Sequence, residues 1–309
     1  MFENYLVIGK QILIVFLLMA IGFAGGKKKM ISDSLADGLA GIAMNICIPA
    51  SILLAFQREF ESRLVREFLL SIVLAAVGYI LFITVAWLTI RDEDSKRQNI
   101  LRFTAVFANC AMVALPLQSA MFGADGVFCG AVAIGMFDLV FWPLGALAFA
   151  DGEKKNVIRK SLLHPCVIAN ATALILFFGR IRIPEIPREA LSDLAGMNLP
   201  LCMIVLGQKL TRKPLRQLFT DRGALLASAE KLVLFPALMM LVMWIFRIRG
   251  IAAVSALIAM AAPAGASVVM LAVTYRQDAE LASRSVALST MLSLLTMPPI
   301  LVLGSALLL

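Results

Sequence analysis

The chain has 309 residues, of which 61% are hydrophobic and 16% charged, and its mean hydropathy is +0.91. A soluble domain is about half apolar and about a quarter charged, so this composition excludes an ordinary globule and indicates a polytopic membrane protein. The net charge of +8 does not indicate a nucleic-acid binder, because the basic residues lie in short loops between apolar runs and not on one folded face.

A membrane-spanning helix takes about 20 residues, so ten of them would occupy roughly 200 positions and leave no room for a large soluble domain. Ten apolar runs qualify: 5–26, 34–56, 65–90, 99–121, 127–149, 161–179, 189–210, 223–246, 251–273 and 283–308. Helix is the expected state, because lipid offers the backbone no hydrogen-bond partner. The first run has no basic leader and no small-residue cleavage motif, so it reads as a span and not as a cleaved signal. Lys10 stands close enough to the end of that span to snorkel.

Span two, LADGLAGIAMNICIPASILLAF, holds Asp37, Asn45 and Pro49. Span four, FTAVFANCAMVALPLQSAMFGADG, holds small residues around Asn109, then Pro116 and a polar end at Asp125. Span five carries Asp138 at its middle, with Trp142 read as an interface anchor alongside Trp87 and Trp244. His164 and Asn170 belong to span six and read as interface and packing residues. Span seven, with Asp193, Asn198 and Pro200, repeats the order of span two, and Lys209 reads with the loop that follows it. Span eight has adjacent Glu230 and Lys231, which on a helix diverge by about 100° and cannot simply pair. Span nine holds Pro263, Ala264, Gly265 and Ala266, then a polar end at Asp278, echoing span four.

Loops alternate in charge. Every lysine outside a span falls on the odd-numbered loops (Lys27–Lys29, Lys96, Lys154, Lys155, Lys160, Lys209, Lys213), while the even loops carry only arginines such as Arg58, Arg180 and Arg247. The positive-inside rule places the odd loops in the cytoplasm and both termini outside. The five cysteines all lie in apolar runs without a CxxC, which suggests neither a disulfide frame nor a metal site. No metal or other cofactor is expected.

Dividing the chain near residue 150 gives five spans in 1–150 and five in 151–309. An odd number per half requires any repeat to be inverted, an arrangement that places a binding site at mid-membrane. Candidate helix interruptions are Pro49, Pro116, Pro200 and Pro263. Broken spans four and nine crossing at mid-membrane would aim half-helix starts at one point, which suits an anion. The substrate-site candidates are Asn109 with Ala108 and Cys110, Pro263 with Ala264, Gly265 and Ala266, and Asn45 and Asn198. Neither broken segment carries Lys or Arg, so the anion is expected to rely on helix ends and amides. Asp138 and Glu230 are proton-coupling candidates, as acids deep in apolar spans.

FANCAMVALPLQSAMFGADG resembles the fourth-span signature of the auxin efflux carrier family. AAPAGASVVMLAVTYRQDAELASRSVALSTMLSLLTMPP resembles its ninth and tenth spans, and LSDLAGMNLPLCMIVLGQKL its seventh. The resemblance implies a ten-helix fold of two inverted five-helix repeats, with broken helices four and nine crossing at the site. It also implies an organic-acid permease: compact bacterial relatives are regarded as malonate or malate permeases, and plant relatives export auxin. The short 151–160 loop matches the compact type, in a bacterial inner membrane. Plant members carry a proline before the fourth-span Asn, where this chain has Ala108.

The expected activity is secondary transport of a small organic anion by alternating access, coupled to H+ or Na+. The alternatives are an anion channel or a membrane sensor. No HExxH, GxSxG or phosphate-binding loop supports an enzyme or a primary pump. The expected partners are the organic anion and the lipid bilayer, with no nucleic acid, and a homodimer stays open.

Overall fold

The structure, a computed structural model, describes residues 2–59, 61–149, 165–211 and 218–309, with the side chains described from Lys10 and then from Leu13 onward. His164, Lys154, Lys155, Arg159, Lys160, Arg212, Lys213 and Arg216 lie outside the described residues, as does the start of span six.

The described chain is helical, with one isolated antiparallel bridge between Ala108 and Ala264. In order, the helices are α1 (Phe2–Lys27), α2 (Asp33–Ala55), α3 (Ser62–Thr89), α4 (Ser95–Val106) and α5 (Cys110–Phe149). Then come α6 (Pro165–Phe178), α7 (Glu185–Gly196), α8 (Asn198–Lys209), α9 (Arg222–Ile245), α10 (Ile251–Ala261), α11 (Ser267–Thr274) and α12 (Ala279–Leu308). Among the described residues six stretches are long and apolar enough to cross a membrane: α2, α3, α5, α7 with α8, α9 and α12; Leu13–Lys27, α6 and α10 are shorter apolar helices. A helix or helix pair lies over each of the ten apolar runs, as far as they are described.

Proline shapes these helices in two ways. The π-turns Ala43–Cys47, Cys110–Ala114 and Glu230–Leu234 each end two residues before a proline: Pro49, Pro116 and Pro236. A proline ring clashes with the carbonyl four residues back and offers it no N–H. Widening the preceding turn moves that carbonyl aside, so the helix bulges and continues. Pro49 and Pro116 therefore do not stop a helix. Pro200 sits in the first turn of α8, just past the bend at Met197. Among the four prolines expected to interrupt, Pro263 alone lies in non-helical chain, between α10 and α11. Inside α5 the chain also turns at Gly123 (φ 57°, ψ −135°), a conformation that glycine adopts without steric cost.

Two packing groups result. In one, α1 lies along α8, α8 contacts α2, and the second half of α2 packs on α6 and α7; in the other, α3, α4, α5, α9, α10, α11 and α12 pack together, and α5 joins the two through contacts with α1, α2, α6 and α8. The first group holds two close backbone contacts: a Cβ on Gly22 would fall on the Ile204 carbonyl, and one on Gly207 on the Met19 carbonyl. In the second group an aromatic cluster of Phe103, Phe107, Phe137 and Phe141 surrounds the end of α4.

Candidate functional site

Two helix pairs break inside the core and meet there. α4 ends at Val106, the chain runs extended through Phe107 (φ −95°, ψ 113°), and α5 begins at Cys110. α10 ends at Ala261, Ala262 is extended (φ −62°, ψ 147°), and α11 begins at Ser267. The two extended pieces pair: Asn109 N–H donates to Pro263 O (2.7 Å) and Gly265 N–H to Phe107 O (3.0 Å). Ala264 N–H donates to Ser289 Oγ of α12 (3.1 Å). A Cβ on Gly265 would stand 3.1 Å from Ala108 O, so glycine permits this close approach. The break in span four thus lies at 107–109, before Pro116.

Lys231 of α9 is fully buried, and its ammonium donates to Val106 O and Met260 O, both at 3.2 Å. Both acceptors are last-turn carbonyls, one from each half-helix that ends at the crossing. Each helix C-terminus carries about half a negative charge, so one ammonium offsets the two together. The Phe82 ring, stacked on Phe235, lies 6.0 Å from the same nitrogen. At its other end α9 is joined to α4 again. Arg97 Nη2 donates to Asp221 Oδ2 (2.6 Å), and Asp221 caps α9 through Ala224 N–H (2.9 Å). Burial would raise the Asp221 carboxyl, but the Arg97 and Ala224 hydrogen bonds outweigh it and hold the group below its ordinary range.

Beside the crossing lies a cavity of about 310 Å³. From the broken helices and α5 its lining includes Ala108, Asn109, Cys110, Ala111, Met112, Phe137, Asp138, Trp142, Ala266, Ser267 and Met270; α2, α6 and α8 contribute Ala40, Gly41, Met44, Cys166 and Lys209. Asn109 Oδ1 accepts Met112 N–H (3.2 Å) and caps α5. Asp138 Oδ1 accepts Trp142 Nε1–H (3.2 Å), and its Oδ2 is buried without a partner among the described residues. A larger hollow of about 790 Å³ lies at the even-loop end, around Trp244, Arg247 and Leu308, with no helix break in its lining.

Of the residues expected at the site, Ala108, Asn109, Cys110, Ala266 and Asp138 line the cavity together. Pro263, Ala264 and Gly265 form the crossing behind it. Asn45 is exposed and donates to Gly41 O within its own helix (2.8 Å). Asn198 is buried and accepts from Cys202 Sγ (3.2 Å). Glu230 is buried with Oε2 unpartnered among the described residues, but does not line the cavity. Most backbone donors expected to meet an anion are already used: those of Asn109, Cys110, Ala264 and Gly265 are all hydrogen-bonded. Ala111, Ala266 and Ser267 remain as cavity-lining residues whose N–H groups have no partner among the described residues.

Sequence reasoning missed three contributors. Trp142 lines the cavity and holds Asp138, where an interface anchor was expected. Lys209 reaches the cavity, so the site does include a cation, supplied by neither broken segment. Lys231 serves the crossing itself, and a cation placed mid-span beside an acid was the available signal. Among the described residues no cluster of His, Cys, Asp and Glu could hold a metal ion, and all five cysteines are buried and outside any disulfide.

Broken helices that cross in the core, with charge-compensated ends and an adjoining cavity, define a membrane protein built around a buried polar site. Residues 7–158 and 153–301 match the membrane transport protein family, and the chain belongs to it. It is 23% identical to an uncharacterized transporter of Methanocaldococcus jannaschii over 295 residues, 92% of this chain and 94% of the relative. It is 24% identical to an uncharacterized transporter of Methanothermobacter thermautotrophicus over 293 residues, 94% of this chain and 96% of the relative.

Proposed function

We propose that the chain is a secondary carrier of small organic anions whose carboxylate binds in the cavity beside the helix crossing. The carrying observation is the division of polar ends there. Lys231 neutralises the two C-terminal ends, while the starts of α5 and α11 face the cavity through Asn109, Ala111 and Ser267. With Asn109 Oδ1 committed to Met112, the amide nitrogen supplies donors for a carboxylate. Met44, Met112, Phe137, Trp142 and Met270 make the remaining lining largely apolar. This suits an acid with an apolar body as well as malonate or malate. Replacing Asn109 by alanine removes one hydrogen bond to a charged ligand, worth about 1.5–3 kcal/mol, and should weaken binding roughly ten- to hundredfold. Thermal shift of the purified protein with malonate and indole-3-acetate measures this. Asn170→Ala, away from the cavity, should bind as the parent does; the reverse pattern would place the site elsewhere.

In this reading the chain has ten spans in two inverted repeats, 1–150 and 151–309, with both termini outside a cell membrane. The cavity residues Gly41, Trp142, Lys209 and Met270 stand near the odd-loop ends of their spans, so the site faces the cytoplasm. At the even-loop end Arg58 pairs with Asp125, and Arg63 lies 3.6 Å from the same carboxylate, tying α2 to α3 and α5. The group around α4, α9 and α10 moves against the group around α1 and α8 in alternating access. Asp138 is the coupling acid that the cavity favours; Glu230 remains a second candidate. A reporter fused after Leu309 should be active only if it requires export, and cytoplasmic activity there would overturn the topology and the inverted repeat with it.

A further inference from the structure

We propose that Arg58, Asp125 and three phenylalanine rings form a latch that closes the cavity toward the even-loop end, and that its opening gives the site its second access. This rests on the carrier reading and assigns the closed side of the site to named residues. Three helices that line the cavity also carry the latch. α2 lines the cavity through Gly41 and Met44, α5 through Ile134 and Asp138, and α6 through Cys166. Toward the even-loop end the same helices bring together Phe56, at the C-cap of α2, Phe128 of α5 and Phe177 of α6. At 1.5 Å per residue, Phe177 stands about 16 Å beyond Cys166 along α6, and Phe128 about 9 Å beyond Ile134 along α5.

The rings touch pairwise, with centroids 4.6 Å apart for Phe56–Phe128, 5.8 Å for Phe128–Phe177 and 5.9 Å for Phe56–Phe177. All three are buried. An apolar constriction of this kind keeps out water and a charged solute alike. Apolar contact is non-directional, however, and does not fix how the helices sit against one another. The ion pair does. Arg58 Nη1 donates to Asp125 Oδ1, with each side chain 25% exposed, and the guanidinium carbon lies 6.0 Å from the Phe128 centroid. Gln57 Oε1 accepts Ile183 N–H (2.8 Å), so the end of α2 is tied to the chain that follows α6. Arg63 of α3 lies 3.6 Å from Asp125 Oδ2, and α3 packs on α5. Arg58 thus joins the α2–α6 side to α5, whereas Arg63 holds the same acid from the α3–α5 side. Separation of the Arg58–Asp125 pair lets the rings part.

Cys129, buried one helical turn past Asp125, reports on the latch. The test is labelling of the purified full chain by a maleimide, read at each cysteine by mass spectrometry, without substrate. Parent, Arg58→Gln, Asp125→Asn, Arg58→Lys and Arg63→Gln proteins are compared. Arg58→Gln and Asp125→Asn should label Cys129 at least tenfold faster than the parent. Arg58→Lys should stay near the parent because it keeps the pair, and Arg63→Gln because it leaves α2 joined to α5. Cys202, fully buried in α8, should keep its parent rate in every variant. Parent-rate labelling of Cys129 in both Arg58→Gln and Asp125→Asn would overturn the latch, and saturable uptake by the parent would then leave the carrier reading standing. An equal rise at Cys129 and Cys202 would show general loosening and also overturn it. Faster labelling confined to Cys129, in a chain that accumulates neither malonate nor indole-3-acetate, would support the latch and count against the carrier reading instead.

Discussion

Replacing Lys231 by methionine should abolish transport while leaving a protein that still inserts in the membrane. The substitution keeps most of the side-chain volume but removes both hydrogen bonds to Val106 O and Met260 O. In an apolar interior each of these bonds is worth several kcal/mol before desolvation is counted. Against that stands the cost of burying an ammonium, several kcal/mol, which the substitution relieves. The net change in stability is therefore small beside the change at the site. Two helix ends, each with about half a negative charge, would then face each other inside the core without a cation. Their separation would disturb the Asn109–Pro263 and Gly265–Phe107 pairing. Uptake into liposomes should fall at least a hundredfold, with the melting temperature much less affected. Parent-like uptake by Lys231→Met would show that the ammonium only fills space.

The second large effect is expected at Gly207. A methyl group there meets the Met19 carbonyl, just as one at Gly22 meets the Ile204 carbonyl, and both obstacles are backbone. No rotamer change relieves such a clash, so α1 and α8 must move apart along their whole contact. Overpacking typically costs 1–3 kcal/mol, and an immovable backbone puts Gly207→Ala at about the upper end. Helix association in lipid depends on this close van der Waals contact. Gly38→Ala is the control: its Cβ would meet nothing within 4 Å, and alanine favours the helix by about 0.5–1 kcal/mol. Thermal unfolding in detergent should fall several degrees for Gly207→Ala and not for Gly38→Ala. Equal melting of the two would show that the α1–α8 contact carries no strain.

The helices were legible because apolar runs contrast strongly with the charge clusters between them; the run 65–90 corresponds to Ser62–Thr89. The break in span nine was legible through Pro263. The break at Ala108 was only partly so, because no proline marks it: the extended piece is held by pairing with residues near 264 and by the aromatic residues around Phe107. Pro49 and Pro116 misled because proline can be accommodated by a π-turn as well as by a stop. Asn45 and Asn198 matched each other in sequence, yet matching order does not fix which face of a helix a side chain takes. Lys231 and Lys209 went unplaced for a related reason. Their partners lie on other helices, so spacing along the chain says nothing about which carbonyl or cavity each one reaches.

The most direct measurement is uptake of radiolabelled malonate and indole-3-acetate by the purified protein in liposomes, under an imposed pH or sodium gradient. An anion carrier with its site at the crossing should give saturable, gradient-driven accumulation of at least one of these acids, lost in Asn109→Ala and Lys231→Met. Non-saturable current through the parent protein, or accumulation that survives both substitutions, would contradict it.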